Sequence, residues 1–275
     1  MNILIGCDPE VFVKNPNSGE FVSAHGMVPG DKKKPFPVPF GAVQVDGMAL
    51  EFNIDPADSK HTFVDNIQRV YQRLEDMVPG YTLVKDPVAV FNEEYFKTCD
   101  PTSQILGCDP DYNAWSLLAN DAPKGDIPFR TAAGHIHIGW TNGLDVQSSV
   151  HFMDCCEIVK QLDYYIGIYS LLWDKDNRRR SMYGKAGAFR PKSYGVEYRV
   201  PSNAWLRSPG LMAWVYDAAV KAVSDLTESC NLPEIYGNSA ELIINDNQLD
   251  WMDNWDIHEA TGLEFPPIEE NICAA

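Results

Sequence analysis

The chain has 275 residues, 45% of them hydrophobic, which is enough to build the core of one large domain or two small ones. Its 39 acidic and 22 basic residues give a formal net charge of −17, which argues against nonspecific binding to nucleic acids or to an anionic membrane surface. The apolar runs are shorter than the roughly 20 residues that a membrane-spanning helix needs, so no transmembrane span is expected.

The cysteines indicate a reducing compartment. There are seven of them, an odd number that includes one adjacent pair, and none has the paired spacing of a structural zinc site. The opening MNILIGC leaves no room for a signal peptide before its cysteine and is interpreted as the first strand. We therefore expect a cytoplasmic protein.

The first motif, DPE, lies in a segment that predicts a strand over residues 2–14. Because side chains alternate along a strand, Asp8 and Glu10 share one face and their apolar neighbours share the other. Pro9 cannot donate a ladder hydrogen bond, so the strand is expected to be an edge strand or to bulge there. A turn that starts at Asp8 is the alternative.

Residues 42–54 predict two short strands around the turn signal Asp46-Gly47. In the second strand Glu51 faces away from the apolar residues beside it. The apolar spacing that follows predicts a helix to Met77 that is capped by Asp58 or Ser59.

Two stretches carry weaker signals. The Gly/Pro/Lys-rich loop over residues 15–39 resembles a flap that grips phosphate, and equally a solvated loop. Residues 81–90 predict a strand, and GCDPDYNAW at 107–115 echoes the opening GCDPE. Because two copies do not establish a repeat, the echo is either coincidence or a second loop that lines the site, and Arg130 could reach the same site.

The motif AAGHIHIGW predicts a strand with His135 and His137 on one face. Two histidines at this spacing can face one metal ion or one phosphate. Further on, the apolar pattern predicts a long helix over residues 146–173 and another over about 209–228.

The motif YGVEYRV follows a glycine-bearing basic loop and predicts a half-buried strand. Glu197 and Arg199 share its polar face. The carboxylate can hold a cation, and the guanidinium offers planar donors to a phosphate. A surface salt bridge with no function is the alternative for this pair alone.

Together, four alternating strands place polar residues opposite apolar faces, and these polar residues are Asp8, Glu10, Glu51, His135, His137, Glu197 and Arg199. If the faces curve toward one another, four carboxylates, two imidazoles and one arginine meet. Such a group is costly unless cations neutralise it. Oxygen ligands favour two Mg²⁺ or Mn²⁺ ions, which usually accompany substrate phosphates.

The motifs DPE, LEFN, GHIHIG and FRPKSYGVEYRVPSN, in this order, resemble the glutamine synthetase and γ-glutamylcysteine ligase superfamily, most closely its bacteriophage-encoded COOH·NH2 ligase (amidoligase) branch. The resemblance implies an α+β fold with a curled, mainly antiparallel sheet and flanking helices. It implies one catalytic domain over residues 1–275, with core motifs at 6–206 and a peripheral C-terminal arm at 231–275. The location would be the host cytoplasm if the chain is phage-encoded.

The resemblance also implies a chemistry. ATP would transfer its γ-phosphoryl group to a substrate carboxylate, and an amine would attack the acyl phosphate to give an amide. The substrates would be small molecules or peptides that bear a carboxylate and an amine. By this resemblance Asp8, His135 and Glu197 hold one metal ion, and Glu10 and Glu51 hold the second.

The phosphate contacts follow from the same resemblance. Arg199 would stabilise the transferred phosphoryl group. The remaining phosphate contacts would be His137, Lys185, Arg190 and Lys192.

Three other readings stay open from the residues alone. The first is a metal-dependent hydrolase, because an H-x-H strand is also the first metal-binding motif in the sites of such enzymes. The second is a phosphagen-type kinase that stops at phosphoryl transfer. The third is a catalytically silent phage accessory protein. The hydrolase needs further histidines, for which only His151 and His258 remain downstream.

Overall fold

A computed structural model of the chain describes residues 3–105, 111–121, 129–250 and 252–268. The protein has an α+β fold in which antiparallel strands are covered by helices, and every strand pair among these residues is antiparallel. The prediction of a mainly antiparallel α+β fold is therefore confirmed.

The strands are short and follow one another along the chain with few helices between them. They are β1 (Leu4–Cys7), β2 (Glu10–Lys14), β3 (Phe21–Val22), β4 (Phe36–Val38), β5 (Gly41–Asp46), β6 (Ala49–Ile54), β7 (Thr82–Val84), β8 (Val88–Val90), β9 (Tyr112–Asn113), β10 (Phe129–Thr131), β11 (Ile136–Gly139), β12 (Ala188–Lys192) and β13 (Gly195–Tyr198). They form a five-stranded sheet in the order β1-β11-β13-β12-β9 and a six-stranded sheet in the order β3-β2-β6-β5-β4 with β7 beside β2. A two-stranded ribbon joins β8 to β10.

The helices are α1 (Lys60–Met77), α2 (Glu93–Thr98), α3 (Pro101–Gln104), α4 (Ser149–Leu162), α5 (Ile168–Trp173), α6 (Asn177–Met182), α7 (Pro209–Thr227), α8 (Leu232–Tyr236), α9 (Ser239–Asp246) and α10 (Trp255–Thr261). A π-helical turn, Asp163–Gly167, joins α4 to α5, and a 3-10 helix covers Asn203–Arg207. No helix in the described ranges is long and apolar enough to cross a membrane.

The chain crosses from one sheet to the other at Asp8-Pro9. We predicted one strand over residues 2–14, but β1 pairs with β11 in the first sheet, whereas β2 pairs with β6 in the second. Pro9 has no N–H for a ladder bond, and its carbonyl accepts a hydrogen bond from the amide of Phe52 at 3.2 Å. The motif strands therefore belong to two sheets, which together form one curled surface.

The predicted strand over residues 81–90 divides in the same way. Its first half, β7, pairs with β2, and its second half, β8, pairs with β10. Pro87 lies between them and cannot continue a ladder. The predicted hairpin is confirmed, because β5 and β6 pair with Asp46 opposite Ala49 and Gly47 has a φ of 58°.

Helices cover the apolar face of the strands. α1 begins after Ser59, whose side chain accepts a hydrogen bond from the amide of Thr62, so the predicted cap is confirmed. Its buried Phe63 stacks on Trp205 with ring centroids 6.0 Å apart. The main core draws on both sheets and on α1, α4 and α7.

The part of the C-terminal segment that the structure describes is packed against the core. Ile244 of α9 and Ile257 of α10 are buried, and His258 accepts or donates a hydrogen bond with the hydroxyl of Tyr169 at 2.8 Å. The predicted arm over 231–275 is thus attached along residues 231–250 and 252–268. The rest of that prediction, and residues 107–110 of the GCDPDYNAW motif, lie outside the described residues.

Candidate active site

Adjacent strands of the first sheet present the two halves of one polar cluster. β11 and β13 pair with His137 opposite Glu197. Because side chains alternate along both strands, Ile138 and Tyr198 point instead to the helix-covered side, where both are buried. The pairing therefore brings an imidazole and a carboxylate together on the open face of the sheet.

Asp8 joins this cluster from the corner between the sheets. Its Oδ1 lies 3.1 Å from Nδ1 of His135 and 3.0 Å from Nε2 of His137. Asp8, His137 and Glu197 each offer a ligand atom within 4.8 Å of the others. His135 also approaches Glu197, with Nδ1 3.5 Å from Oε1. Both histidines therefore face the same point, as the H-x-H spacing predicts.

Glu197 is ringed by cations. Its side chain is 1% exposed, and its Oε2 lies 2.5 Å from Nζ of Lys192 and 3.4 Å from Nη1 of Arg190. Arg199 contacts its Oε1. These three cations lie on one carboxylate, so this part of the site offers an anion such as phosphate several charged donors close together.

Two residues that were not predicted as site residues hold Arg199 in place. Asp111 accepts a hydrogen bond from Nε of Arg199 at 2.9 Å. Tyr183 contacts the guanidinium with its hydroxyl, which also lies 2.9 Å from Nε2 of His135. Asp111 belongs to the GCDPDYNAW motif, and the similarity of that motif to GCDPE was the feature that could have identified it. Tyr183 lies at the start of the basic loop, and no sequence feature distinguished this tyrosine from the others.

Three more carboxylates converge in the second sheet. Glu10 pairs with Glu51 in the β2–β6 register. Asp46, at the end of β5, completes a triplet whose ligand atoms lie within 4.8 Å of one another. Nζ of Lys32 lies 2.9 Å from Oδ2 of Asp46, and Gln44 donates a hydrogen bond to Glu51 at 2.7 Å. From the sequence Asp46 was predicted only as a turn residue, although the alternation of β5 places it on the face of Gln44.

The two carboxylate groups have opposite electrostatic surroundings. Burial, followed by the charge of Asp46, raises the pKa of Glu10 to about 8, and burial with the charge of Asp8 raises the pKa of Glu51 well above its usual value. Burial alone would also raise the pKa of Asp8, but His137 and His135 outweigh it and hold that pKa well below its usual range. The Glu10 triplet is therefore short of positive charge.

The donor atoms in both groups fit divalent cations. The Glu10 triplet offers carboxylate oxygens alone, which is the ligand set of Mg²⁺ or Mn²⁺. The group of Asp8, His137 and Glu197 adds one imidazole, which Mn²⁺ also accepts. Burial and neighbouring carboxylates raise the pKa values of Glu10 and Glu51, and a bound cation would supply the positive charge that balances their carboxylates.

Both groups open onto one cleft of about 630 Å³. Asp8 and His137 line it from the first sheet, and Glu51 lines it from the second. Trp140 and Lys32 form further parts of its wall. A ligand in this cleft would touch both carboxylate groups.

Some expected contacts are not made. Lys185 is exposed and forms no ion pair with the cluster among the described residues. Arg130 makes no contact with the cluster among the described residues; its guanidinium donates to the carbonyls of Phe129 and Gln104 and packs over Phe96. The prediction that Arg130 could reach the same site is therefore wrong for the described residues.

The basic run before Tyr183 supports the fold. Arg179 is 0% exposed and donates to the carbonyl oxygens of Val200 and Pro201 at 2.6 and 2.9 Å. Arg180 donates to Oδ1 of Asn247 at 2.7 Å. These arginines fix the segment that follows Arg199 and do not face the cleft.

Comparison with known proteins identifies a family for part of the chain. Residues 123–241 match the family model described as Phage phiEco32-like COOH.NH2 ligase-type 2. The match confirms the amidoligase resemblance and includes both histidines of H-x-H together with Glu197 and Arg199. Asp8, Glu10 and Glu51 precede it. No curated protein matches the chain.

Proposed function

We propose that this protein, which carries a carboxylate-amine ligase match over residues 123–241, is an ATP-dependent ligase that forms an amide bond through an acyl phosphate. Its substrates are small molecules or peptides, one with a carboxylate and one with an amine. Two divalent cations, Mg²⁺ or Mn²⁺, assist the reaction.

The observation that carries this proposal is the difference in surroundings between the two carboxylate groups, whose members Asp8, His137 and Glu51 line the cleft. On one side, Arg190, Lys192 and Arg199 surround Glu197, and a chain of phosphates finds three cationic partners there. On the other side, the Glu10 triplet needs positive charge. A nucleotide with divalent cations satisfies both sides at once, whereas either side alone would suit many ligands.

The cation assignments extend those made from the sequence. One cation is held by Glu10 and Glu51, and Asp46 is added as a third ligand because its carboxylate lies within 4.8 Å of both. The second is held by Asp8 and Glu197 with an imidazole. The resemblance assigns His135 to it, and His137 is the imidazole that meets the same distance limit. When bound, such cations would neutralise phosphate and carboxylate oxygens.

The chain's own side chains orient the reaction. Arg190 and Lys192 bind phosphate oxygens, and Arg199 stabilises the negative charge on the phosphoryl group while it is transferred. An oxygen of the substrate carboxylate attacks the γ-phosphorus, and the bond to ADP breaks. The amine nitrogen then attacks the acyl carbon, phosphate leaves with the bridging oxygen, and the nitrogen loses a proton.

The hydrolase reading loses support. It requires further histidines near H-x-H, yet His151 has Nε2 2.9 Å from the carbonyl oxygen of Lys192 and packs beside Cys155. His258 bonds to the hydroxyl of Tyr169 in the C-terminal segment. In the described ranges neither histidine belongs to the carboxylate cluster.

Product analysis tests the proposal. The purified protein is incubated with ATP, Mg²⁺ and pools of amino acids and peptides, and products are identified by mass spectrometry. We expect ADP, phosphate and a product that has lost one water relative to its two substrates. ADP with a phosphorylated acceptor would indicate a phosphagen-type kinase, hydrolysis without nucleotide would indicate a hydrolase, and no turnover would indicate a silent protein.

A location in the cytoplasm follows from the proposal, because ATP is supplied there. It is consistent with the five cysteines described in the structure, Cys7, Cys99, Cys155, Cys156 and Cys230, which are all free thiols. If the chain is phage-encoded, the compartment is the cytoplasm of the host.

A further inference from the structure

Behind the strand that carries Glu197 lies a buried carboxylate that the proposed chemistry does not use. Asp163 is 0% exposed and begins the π-helical turn between α4 and α5. In the described ranges it has no ion pair with a lysine or arginine, and its partners are neutral donors. Burying a carboxylate without a cationic partner costs free energy of folding, so we asked which segments its hydrogen bonds connect.

Each partner of Asp163 belongs to a segment that holds Arg199. Tyr198, the residue immediately before Arg199, donates its hydroxyl to Oδ1 at 2.7 Å. Trp115 donates Nε1 to Oδ2 at 2.7 Å, and it lies in the same short segment as Asp111, the carboxylate partner of Arg199. One carboxylate therefore joins the strand and the loop that fix the guanidinium.

A third bond reaches the loop that begins at Tyr183. The amide of Gly187 hydrogen bonds to Asp163, and the carbonyl of Gly187 accepts the amide of Ala114 at 2.8 Å. Asn113 adds a bond from its side-chain amide to the carbonyl of Ala186 at 2.9 Å. The two loops that flank Arg199 are thus bound to each other and to the same carboxylate.

Gly167, the last residue of the π-helical turn, leaves room for this arrangement. Asp163 and Gly167 are four residues apart and face Tyr198 together. A Cβ on Gly167 would lie 2.8 Å from the hydroxyl of Tyr198 and 3.1 Å from Oδ1 of Asp163. Only glycine leaves the space that the hydrogen bond between these two side chains occupies. Such π-helical turns often occur at functional sites.

We propose that Asp163 is a positioning residue that holds Arg199 in its orientation against Glu197 and Asp111 by bonding Tyr198, Trp115 and Gly187 from the opposite side of the sheet. The part of this inference that concerns turnover rests on the proposed ligase function. The part that concerns the orientation of Arg199 does not depend on it.

A double-mutant cycle tests the inference in turnover. Asp163→Asn keeps the size of the side chain but replaces one acceptor oxygen with a donor that conflicts with the donors around it. We expect it to lower single-turnover ADP formation by roughly 10-fold or more, with the Kd for Mg·ATP changed by less than about threefold. Because Asp163 acts through Arg199, Asp163→Asn combined with Arg199→Lys should be no slower than Arg199→Lys alone. Additive losses would overturn the inference.

A matched control separates positioning from general stability. Asp225 is also a carboxylate that accepts a tyrosine hydroxyl, from Tyr165 at 2.5 Å, and its other side-chain partner is Lys221. In the described ranges it bonds none of the three groups, on Tyr198, Trp115 and Gly187, that join Asp163 to the surroundings of Arg199. Asp225→Asn should lower Tm without changing the rate of ADP formation. If both variants slow the reaction in proportion to their loss of Tm, Asp163 has only a structural role.

An NMR measurement tests the orientation of Arg199 without relying on enzymatic activity. The Nε–H of Arg199, which donates to Asp111, gives a side-chain signal in ¹⁵N NMR spectra that can be assigned by its loss in Arg199→Lys. We expect Asp163→Asn to shift or broaden this signal and Asp225→Asn to leave it unchanged. If Asp163→Asn does not fold, Tyr198→Phe removes one of the three bonds and should act in the same direction.

These measurements distinguish the two ways to fail. If the wild type forms neither ADP nor amide, the proposed ligase function is wrong, and the NMR signal alone decides the role of Asp163. An unchanged Arg199 signal in both Asp163→Asn and Tyr198→Phe refutes the positioning inference, whatever the activity of the protein.

Discussion

Binding of a divalent cation should release a proton from Glu10. Burial and the nearby Asp46 raise the pKa of this carboxyl to about 8, so at pH 7 about nine tenths of the molecules carry the proton without a cation. Because a metal ligand must be deprotonated, the Kd should fall about tenfold from pH 6 to pH 7 and about fivefold from pH 7 to pH 8. Above pH 9 it should become constant. Glu51, whose pKa is raised as well, acts in the same direction.

Calorimetric titration with Mn²⁺ measures this release directly. The apparent enthalpy at pH 7 in buffers of different ionisation enthalpy gives the number of protons released per cation. We expect Glu10→Gln to bind Mn²⁺ more weakly and to release about one proton fewer than the wild type. Glu20→Gln, which changes an exposed carboxylate, should behave as the wild type does.

The same shift predicts the pH dependence of stability. The folded protein keeps the Glu10 proton to about pH 8, whereas the unfolded chain releases it near the ordinary pKa of a glutamate, 4.5. The folded state therefore binds more protons between these values, and the cation-free protein should lose stability as the pH rises through this window. Saturating Mn²⁺ should remove the loss. A Kd and a proton release that are both independent of pH between 6 and 8 would refute this account of Glu10.

Three further substitutions test other parts of the site and fold. Arg199→Lys should fold and bind Mg·ATP nearly normally but transfer the phosphoryl group roughly 10²-fold more slowly, because the lysine lacks the planar fork; a wild-type rate of ADP formation would make Arg199 only a partner of Glu197. Glu197→Gln should instead weaken Mn²⁺-dependent ATP binding, measured by titration, because a ligand charge is lost. Gly134→Ala should destabilise the protein by about 1–3 kcal/mol in denaturant unfolding, since its Cβ would lie 2.4 Å from both the carbonyl oxygen of Ser202 and Nε1 of Trp205.

Local alternation along each strand could be predicted from the sequence. Side chains two residues apart share a face wherever the backbone is extended, so the pairing of His135 with His137 and of Glu197 with Arg199 needed no knowledge of the fold. The helix that ends at Met77 and its Ser59 cap follow from equally local rules. The amidoligase resemblance came from the order of such motifs.

The contacts between distant segments were decided only by the tertiary structure. The sequence did not show that the chain changes sheets at Pro9, or that Asp46 adds a carboxylate to Glu10 and Glu51. It did not show that Asp111 holds Arg199 either, because that pair is 88 residues apart in the chain. Which residues meet across strands depends on the register and curvature of both sheets, and these are fixed by the packing of the whole core against its helices. Alternation along a strand determines on which side of the sheet a side chain lies, but only the folded sheets determine which residues it contacts there.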